Sequence, residues 1–249
     1  MKIEIKNVSK SFAKKKVLEQ LNLTFESGQI YGLIGHNGSG KSVLLKIICG
    51  FFKPTEGAVL FDGHDYSNDK EFPPSLRAII EGPSFIPNIS GFENLQLLAE
   101  IQNKITDETI LNYLEKMGML DIKDQKYSEY SLGTKQKLGI ISVLMEKPQV
   151  IILDEPFNGI EEKTKQVIIH ELLSLKQQNV LIIVTSHIKE EISSLCDVTY
   201  VMENGRVAEW LVDALCFTLN IENISLKIRY LKFIFAFFYL RVLLLHMEL

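Results

Sequence analysis

The period of the hydrophobic positions changes repeatedly along the chain. Ile3, Ile5 and Val8 recur at close to every second residue, and Leu21, Leu23 and Phe25 alternate strictly, which predicts two half-buried strands. Gln29 to Gly35 (QIYGLIG) is a more continuous apolar run ending in glycine, the pattern of a buried strand that feeds a tight turn. Beyond the turn, Val43 to Cys49 (VLLKIIC) predicts a helix that stops at Gly50. AVLFDG and LRAII read as further short strands. From Asn94 to about Gly139 the spacing turns helical, through NLQLLAEIQN, DETILNYLEKMG and SLGTKQKLGIISVLMEK. Strand-type runs return at Val150 to Asp154, Val180 to Thr185 and Val198 to Met202, separated by helical patterns over 161–178 and 189–196. Asn204-Gly205 is a strong hairpin-turn dipeptide. Strands alternating with helices predict an α/β fold around a mostly parallel sheet, with the middle helical stretch, about 90–145, inserted as a subdomain.

Composition narrows the class. The chain has 249 residues, enough for one large α/β domain with a substantial core. Its 27 Lys and Arg against 31 Asp and Glu give a net charge of −4, a poor balance for a duplex-coating protein, so no nucleic-acid partner is expected. Three widely spaced cysteines (Cys49, Cys196, Cys216) argue against a disulfide framework and against a cysteine zinc site. Met1 to Lys16 is polar and lysine-rich, without the apolar stretch of a secretory signal, so the start of the chain is expected to stay in the cytosol. All 15 glycines lie at or before Gly205 and all seven prolines at or before Pro156. Residues 1–208 and the 209–249 tail are therefore separate problems.

The chemistry begins at Gly35-His36-Asn37-Gly38-Ser39-Gly40-Lys41-Ser42, which fits G-x-x-x-x-G-K-[ST]. Glycines let consecutive backbone N–H groups curl around a phosphate, and the helix that follows, from Val43, adds its positive end. Lys41 is then placed to reach the β- and γ-phosphates and Ser42 to ligate Mg²⁺. The preceding buried strand and the following apolar helix are the setting this motif requires. Asp154 ends the apolar run VIILD, and a carboxylate there points into the crevice at the carboxyl end of a parallel sheet. Asp154 suits Mg²⁺, and Glu155 suits the orientation or deprotonation of an attacking water. One strand further on, Thr185-Ser186-His187 places His187 beside the same crevice.

With these three elements in order, residues 1–208 resemble the ATP-binding subunit of ABC transporters. The resemblance implies a P-loop ATPase fold with an antiparallel N-terminal β part, and ATP and Mg²⁺ as cofactors. GHNGSGKS looks like the family's Walker A, VIILDEP like Walker B with its catalytic glutamate, and TSH like its switch-histidine loop. Phe12 lies 29 residues before Lys41, where the family places an aromatic that stacks on adenine; a plain core position is the other reading. The family's signature loop falls at Tyr130 to Thr134, where Ser131 and Gly133 match, Leu132 replaces a glycine and Thr134 a glutamine. Ser131 and Gly133 are implied to cap the γ-phosphate of a second subunit. Asn158-Gly159-Ile160-Glu161 resembles the D-loop, with Glu161 for the usual aspartate. At the Q-loop the chain offers Glu81 where a glutamine touching Mg²⁺ is usual. That change, together with SLGTKQKLGI, is similar to the branch that exports lantibiotics and other peptide antibiotics.

The resemblance implies ATP hydrolysis by a homodimer or heterodimer of ATP-binding domains, on the cytoplasmic face of a bacterial membrane. It also implies one or more polytopic permease subunits, docked near Gly82 to Asn94. There Pro83, Phe85, Ile86, Pro87 and Phe92 suit either an exposed patch or a satellite core. A soluble ATPase uncoupled from transport, and an impaired regulatory nucleotide-binding module, are the alternatives. The tail departs from the family near Ala208. Its charge-free run Phe233 to Leu240 has eight residues, against about 20 for a bilayer span. A membrane-surface helix, a packed helix and a shifted reading frame all remain open for it.

Overall fold

The computed structural model describes residues 1–13, 15–66, 72–73, 75–102 and 105–210. The expectations for the tail beyond Trp210, Cys216 included, lie outside the described residues.

Strict alternation at the start builds an antiparallel sheet. Strands β1 (Lys2–Phe12) and β2 (Lys15–Glu26) pair with Ile3 opposite Phe25 and Ile5 opposite Leu23. β4 (Glu56–Phe61) adds to the free side of β1, and the two-residue β5 (His64–Asp65) adds to β4, so the order is β2-β1-β4-β5. The continuous apolar runs form a second sheet. β3 (Ile30–Ile34), β6 (Leu76–Ile79), β7 (Val150–Leu153), β8 (Leu181–Ser186) and β9 (Val198–Glu203) are parallel, and β10 (Arg206–Trp210) closes the edge antiparallel to β9. The order is β10-β9-β3-β8-β7-β6, which leaves β3 between β8 and β9 at the centre. Asn204 and Gly205 both take positive φ (50° and 76°) in the β9–β10 turn, as that dipeptide predicts.

Because side chains alternate across a strand, one continuous run feeds two cores. Val150, Ile152, Leu181, Ile183, Tyr31 and Leu33 face the antiparallel sheet and helix α1 (Lys41–Ile48), whose Leu44, Leu45, Ile47 and Ile48 are buried there. Ile151, Leu153, Ile182, Val184, Ile30 and Ile34 face the other way, toward helix α5 (Glu162–Gln177) through Ile168, Leu172 and Leu175. This side also takes helices α2 (Gly91–Gln102), α3 (Asp107–Lys116) and α4 (Leu132–Leu144) through Leu95, Ile110, Leu114 and Leu138. Full burial of each such side chain is worth roughly 1.5–3 kcal/mol.

Helix α2 begins at Gly91, before the Asn94 at which helical spacing starts. A reciprocal cap sets this boundary: Ser90 Oγ accepts the Glu93 N–H (3.1 Å) and a Glu93 carboxylate oxygen accepts the Ser90 N–H (2.7 Å). Those bonds hold the Glu93 carboxyl below its ordinary range. Asn94 then ties the preceding loop to itself through the N–H and carbonyl of Ile86. In that loop Phe85 and Phe92 pack against the core while Ile86 is exposed, so the expected docking patch divides between the two readings. Helix α6 (Lys189–Ser193) ends short of Cys196, as the Leu195 and Cys196 amides both turn onto the Ile192 carbonyl. Cys49 and Cys196 are buried free thiols, and burial pushes both up to about 12.

Candidate functional site

Strand β3 ends at Ile34 and α1 begins at Lys41, so Gly35 to Gly40 form the loop between them. Gly40 has φ 107°, and a Cβ there would stand 2.7 Å from Leu18 Cδ2, so both conformation and space require glycine. No side chain caps the first amides of α1, which leaves the positive helix end open to an anion. Lys41 is only 5% exposed; its Nζ donates to the carbonyls of Gly35 (2.6 Å) and His36 (3.3 Å). The Ser39 hydroxyl is buried with no hydrogen-bond partner. A buried ammonium whose hydrogen bonds go to neutral carbonyls, beside uncapped helix amides, fits a phosphate group.

Two strand ends and the start of α1 converge on Asp154, just past β7. Ser42 Oγ donates to Asp154 Oδ2 (2.8 Å), and Thr185 Oγ1, at the end of β8, donates to Oδ1 (2.5 Å). Thr185 Oγ1 also accepts the Glu155 N–H (2.9 Å), so one buried hydroxyl fixes both carboxylate residues. Glu155 has φ 49°, a left-handed backbone that costs of order 1–3 kcal/mol in a non-glycine residue. Asn158 Nδ2 donates to Glu155 Oε2 (2.6 Å), and His187 Nδ1 lies 3.1 Å from the same oxygen. Glu155 Oε1 is 4.0 Å from Lys41 Nζ.

Glu81 stands just past β6. Its N–H donates to Asp154 Oδ2 (3.4 Å), but its carboxylate turns outward to Lys46 Nζ, 2.7 Å away. Among the described residues no cluster of three acidic, histidine or cysteine side chains would hold a metal alone. The hard oxygens of Ser42 and Asp154 nonetheless fit Mg²⁺, which usually takes one or two carboxylates and completes its shell with phosphate and water.

These groups border a cavity of about 840 Å³, whose wall includes Asn37, Gly38, Gly40, Lys41, Ser42 and Val43 of the loop. Glu81, Asp154 and Glu155 line it as well. Gly35 and Ser39 are not part of that wall: a Cβ on Gly35 would stand 2.4 Å from the Met202 carbonyl oxygen and 2.7 Å from Ser39 Oγ. The His36 ring turns back to the Asn37 carbonyl (2.8 Å). Phe12 is not part of the wall. Its ring is 42% exposed and meets Phe52 edge-on at 5.5 Å, while Lys15, Lys16 and Val17 border the cavity on that side.

Ser131 is the N-cap of α4 and accepts the Thr134 N–H (3.1 Å). Leu132 is 74% exposed and forms part of the cavity wall. A Cβ on Gly133 would stand 2.3 Å from the Gly159 carbonyl oxygen, so α4 and the 158–161 loop touch by backbone. Gly133→Ala is therefore expected to lower the thermal midpoint by roughly 2–12 °C in a melting experiment, since backbone must move. An unchanged midpoint would mean that the contact gives way freely. Lys137 beside Glu161 bonds its carboxylate and holds that carboxyl below the ordinary range.

Thr185, Asn158 and Lys46 are the polar partners that sequence patterns do not assign. Thr185 had a faint signal, since it lies in the triplet that contains His187. Asn158 had one as well, three residues after Glu155 in the loop that resembles the D-loop, whereas Lys46 meets Glu81 across a gap that no spacing rule covers.

A family model described as ABC transporter matches residues 18–158. The chain is 41% identical over 205 residues to YybJ of Bacillus subtilis (strain 168), an uncharacterized ABC transporter ATP-binding protein, covering 82% of this chain and 94% of that one. It is 36% identical to the bacitracin transport ATP-binding protein BcrA of Enterococcus faecalis, over 83% of this chain and 68% of that one. The lantibiotic transport ATP-binding protein SrtF of Streptococcus pyogenes is 33% identical, over 82% and 88% of the two chains. Among solved structures, the ATP binding subunit of an ABC transporter superposes with a TM-score of 0.78 at 25% identity, over 93% of this chain and 99% of that one. The 35–42 loop and the Asp154 and Glu155 carboxylates fall within the span matched by the family model, and His187 lies beyond it, one strand further along the same sheet. The chain belongs to the ABC transporter family, as an ATP-binding subunit.

Proposed function

We propose that this subunit hydrolyses ATP to ADP and phosphate to power export of a lantibiotic, bacteriocin or other peptide antibiotic. The observation that carries the hydrolysis is the arrangement around Glu155. Its carboxylate is aimed by Asn158 and His187 and stands 4.0 Å from the Lys41 ammonium of the phosphate loop. The loop amides and Lys41 hold the phosphates, Glu155 takes a proton from the attacking water, and His187 stabilises the transferring phosphoryl group. Ser42, Asp154 and Glu81 would hold Mg²⁺, which neutralises phosphate charge when bound. Phe12 would stack on adenine, from outside the present cavity wall. Ser131 and Gly133 would complete the site of a second subunit, the same chain or a related one.

Support for export comes from kinship with proteins named for bacitracin and lantibiotic transport, and from Glu81 with the SLGTKQKLGI signature. No helix among the described residues is long and apolar enough to cross a membrane, and the family resemblance supplies the transport path through polytopic partner subunits. The chain would then sit at the cytoplasmic face of the membrane. Affinity capture from detergent-solubilised native membranes tests this reading. Recovery of a small polytopic membrane protein, with peptide-antibiotic sensitivity on deletion, is the expected result. Recovery of ribosomes or repair proteins, with the chain wholly soluble, would overturn the transport assignment.

A further inference from the structure

The Glu81 carboxylate has two alternative seats within reach. Its own N–H already rests on Asp154 Oδ2, yet the carboxylate is 2.7 Å from Lys46 Nζ, and Lys46 is not part of the cavity wall. Ser42 and Lys46 stand four residues apart on α1 and so share one face, about 6 Å from each other along the helix axis. Glu81 and Gly82 both take positive φ (61° and 97°), so the backbone turns sharply where the Glu81 side chain leaves it. Electrostatics sets the direction. Without a cation, Asp154 and Glu155 repel a third carboxylate and Lys46 attracts it outward; a divalent charge beside Ser42 and Asp154 reverses the balance. Lys46 also lies 5.5 Å from the centre of the Phe52 ring, a resting place for the ammonium once the carboxylate leaves.

We propose that Lys46 is a positioning residue that competes with the bound divalent cation for the Glu81 carboxylate. The inference rests on the nucleotide-site reading above. Lys46 keeps Glu81 away from the empty site and releases it as cation and nucleotide arrive together. Most family sites carry a neutral glutamine where this chain has Glu81, and a glutamine offers an ammonium no charge to hold.

The test uses the full chain with Mn²⁺ and a non-hydrolysable ATP analogue, with free Mn²⁺ counted by electron paramagnetic resonance. Lys46→Met keeps the aliphatic stem and removes the competitor. It is expected to bind Mn²⁺ in the ternary complex roughly 1.5- to 5-fold more tightly, the range for a half-exposed ion pair. In a Glu81→Gln background the same change is expected to do nothing, and Lys46→Arg to behave as wild type. Nucleotide affinity in EDTA should not move. Unaltered Mn²⁺ affinity in Lys46→Met, or an equal gain in both backgrounds, would overturn the competition while nucleotide binding persists. Failure of the wild-type chain to bind the analogue would overturn the nucleotide-site reading, and this inference with it.

Discussion

Glu155→Gln is expected to slow ATP hydrolysis by about 10²–10⁴-fold, the usual contribution of a general base, while nucleotide still binds. The substitution keeps the shape of the side chain. Asn158 can still donate to its remaining oxygen, and the Thr185 bond to the residue 155 N–H does not involve the side chain at all. What is lost is the capacity to take a proton from water. Phosphate release and binding of a fluorescent ATP analogue, measured on the same preparation, separate the two effects. Hydrolysis at the wild-type rate would remove Glu155 from its assigned role. A loss of binding in equal measure would instead place it among the groups that hold the ground state.

Removing the Lys41 ammonium should show the opposite division. Lys41→Met is expected to weaken ATP binding by about 10- to 150-fold, the worth of a hydrogen bond to a charged partner, and hydrolysis falls with occupancy. The side chain is nearly buried, and its close partners are the neutral carbonyls of Gly35 and His36, with one carboxylate at 4.0 Å. A buried cation so lightly compensated has most to gain from an arriving phosphate. Isothermal titration with ATP, alongside a melting curve to confirm the fold, checks this. Affinity within error of wild type would mean that the phosphates lie elsewhere.

Legibility from sequence followed the range over which each feature is determined. Local features were readable. The phosphate loop lies between a buried strand and an amphipathic helix, and the Asn204-Gly205 turn is a property of two residues. Val150 to Asp154 and Val180 to Thr185 read as strands because the strands that form there, Val150–Leu153 and Leu181–Ser186, are covered on both faces. The beginning of α2 was readable in principle from the Ser90–Glu93 spacing, but Gly91 and Phe92 blur the helical period there. Cross-chain pairings had no such signal. Ser42 meets Asp154 across 112 residues, Thr185 meets it across 31, and Glu81 meets Lys46 only because β6 ends beside α1. Sequence spacing reports what repeats along one element, whereas these contacts depend on strand order. Phe12 is a different case: its spacing from Lys41 was legible, but its edge-on contact with Phe52 and its place outside the cavity wall were not.

The central place of β3 has a bearing on how the protein is made. Its neighbours on either side, β8 and β9, come about 150 and 165 residues later in the chain. The phosphate loop therefore has neither flanking strand to shape it until about 150 further residues have been made. At roughly 5–20 residues per second, that interval is on the order of 10–30 seconds, during which an apolar strand awaits its partners. The nascent chain meets ATP as an unfinished polymer, and nucleotide capture marks the end of folding. Once the site exists, ATP at a hundred times its dissociation constant adds about 2.7 kcal/mol to the folded state alone, so the cell's own ATP helps retain the finished subunit.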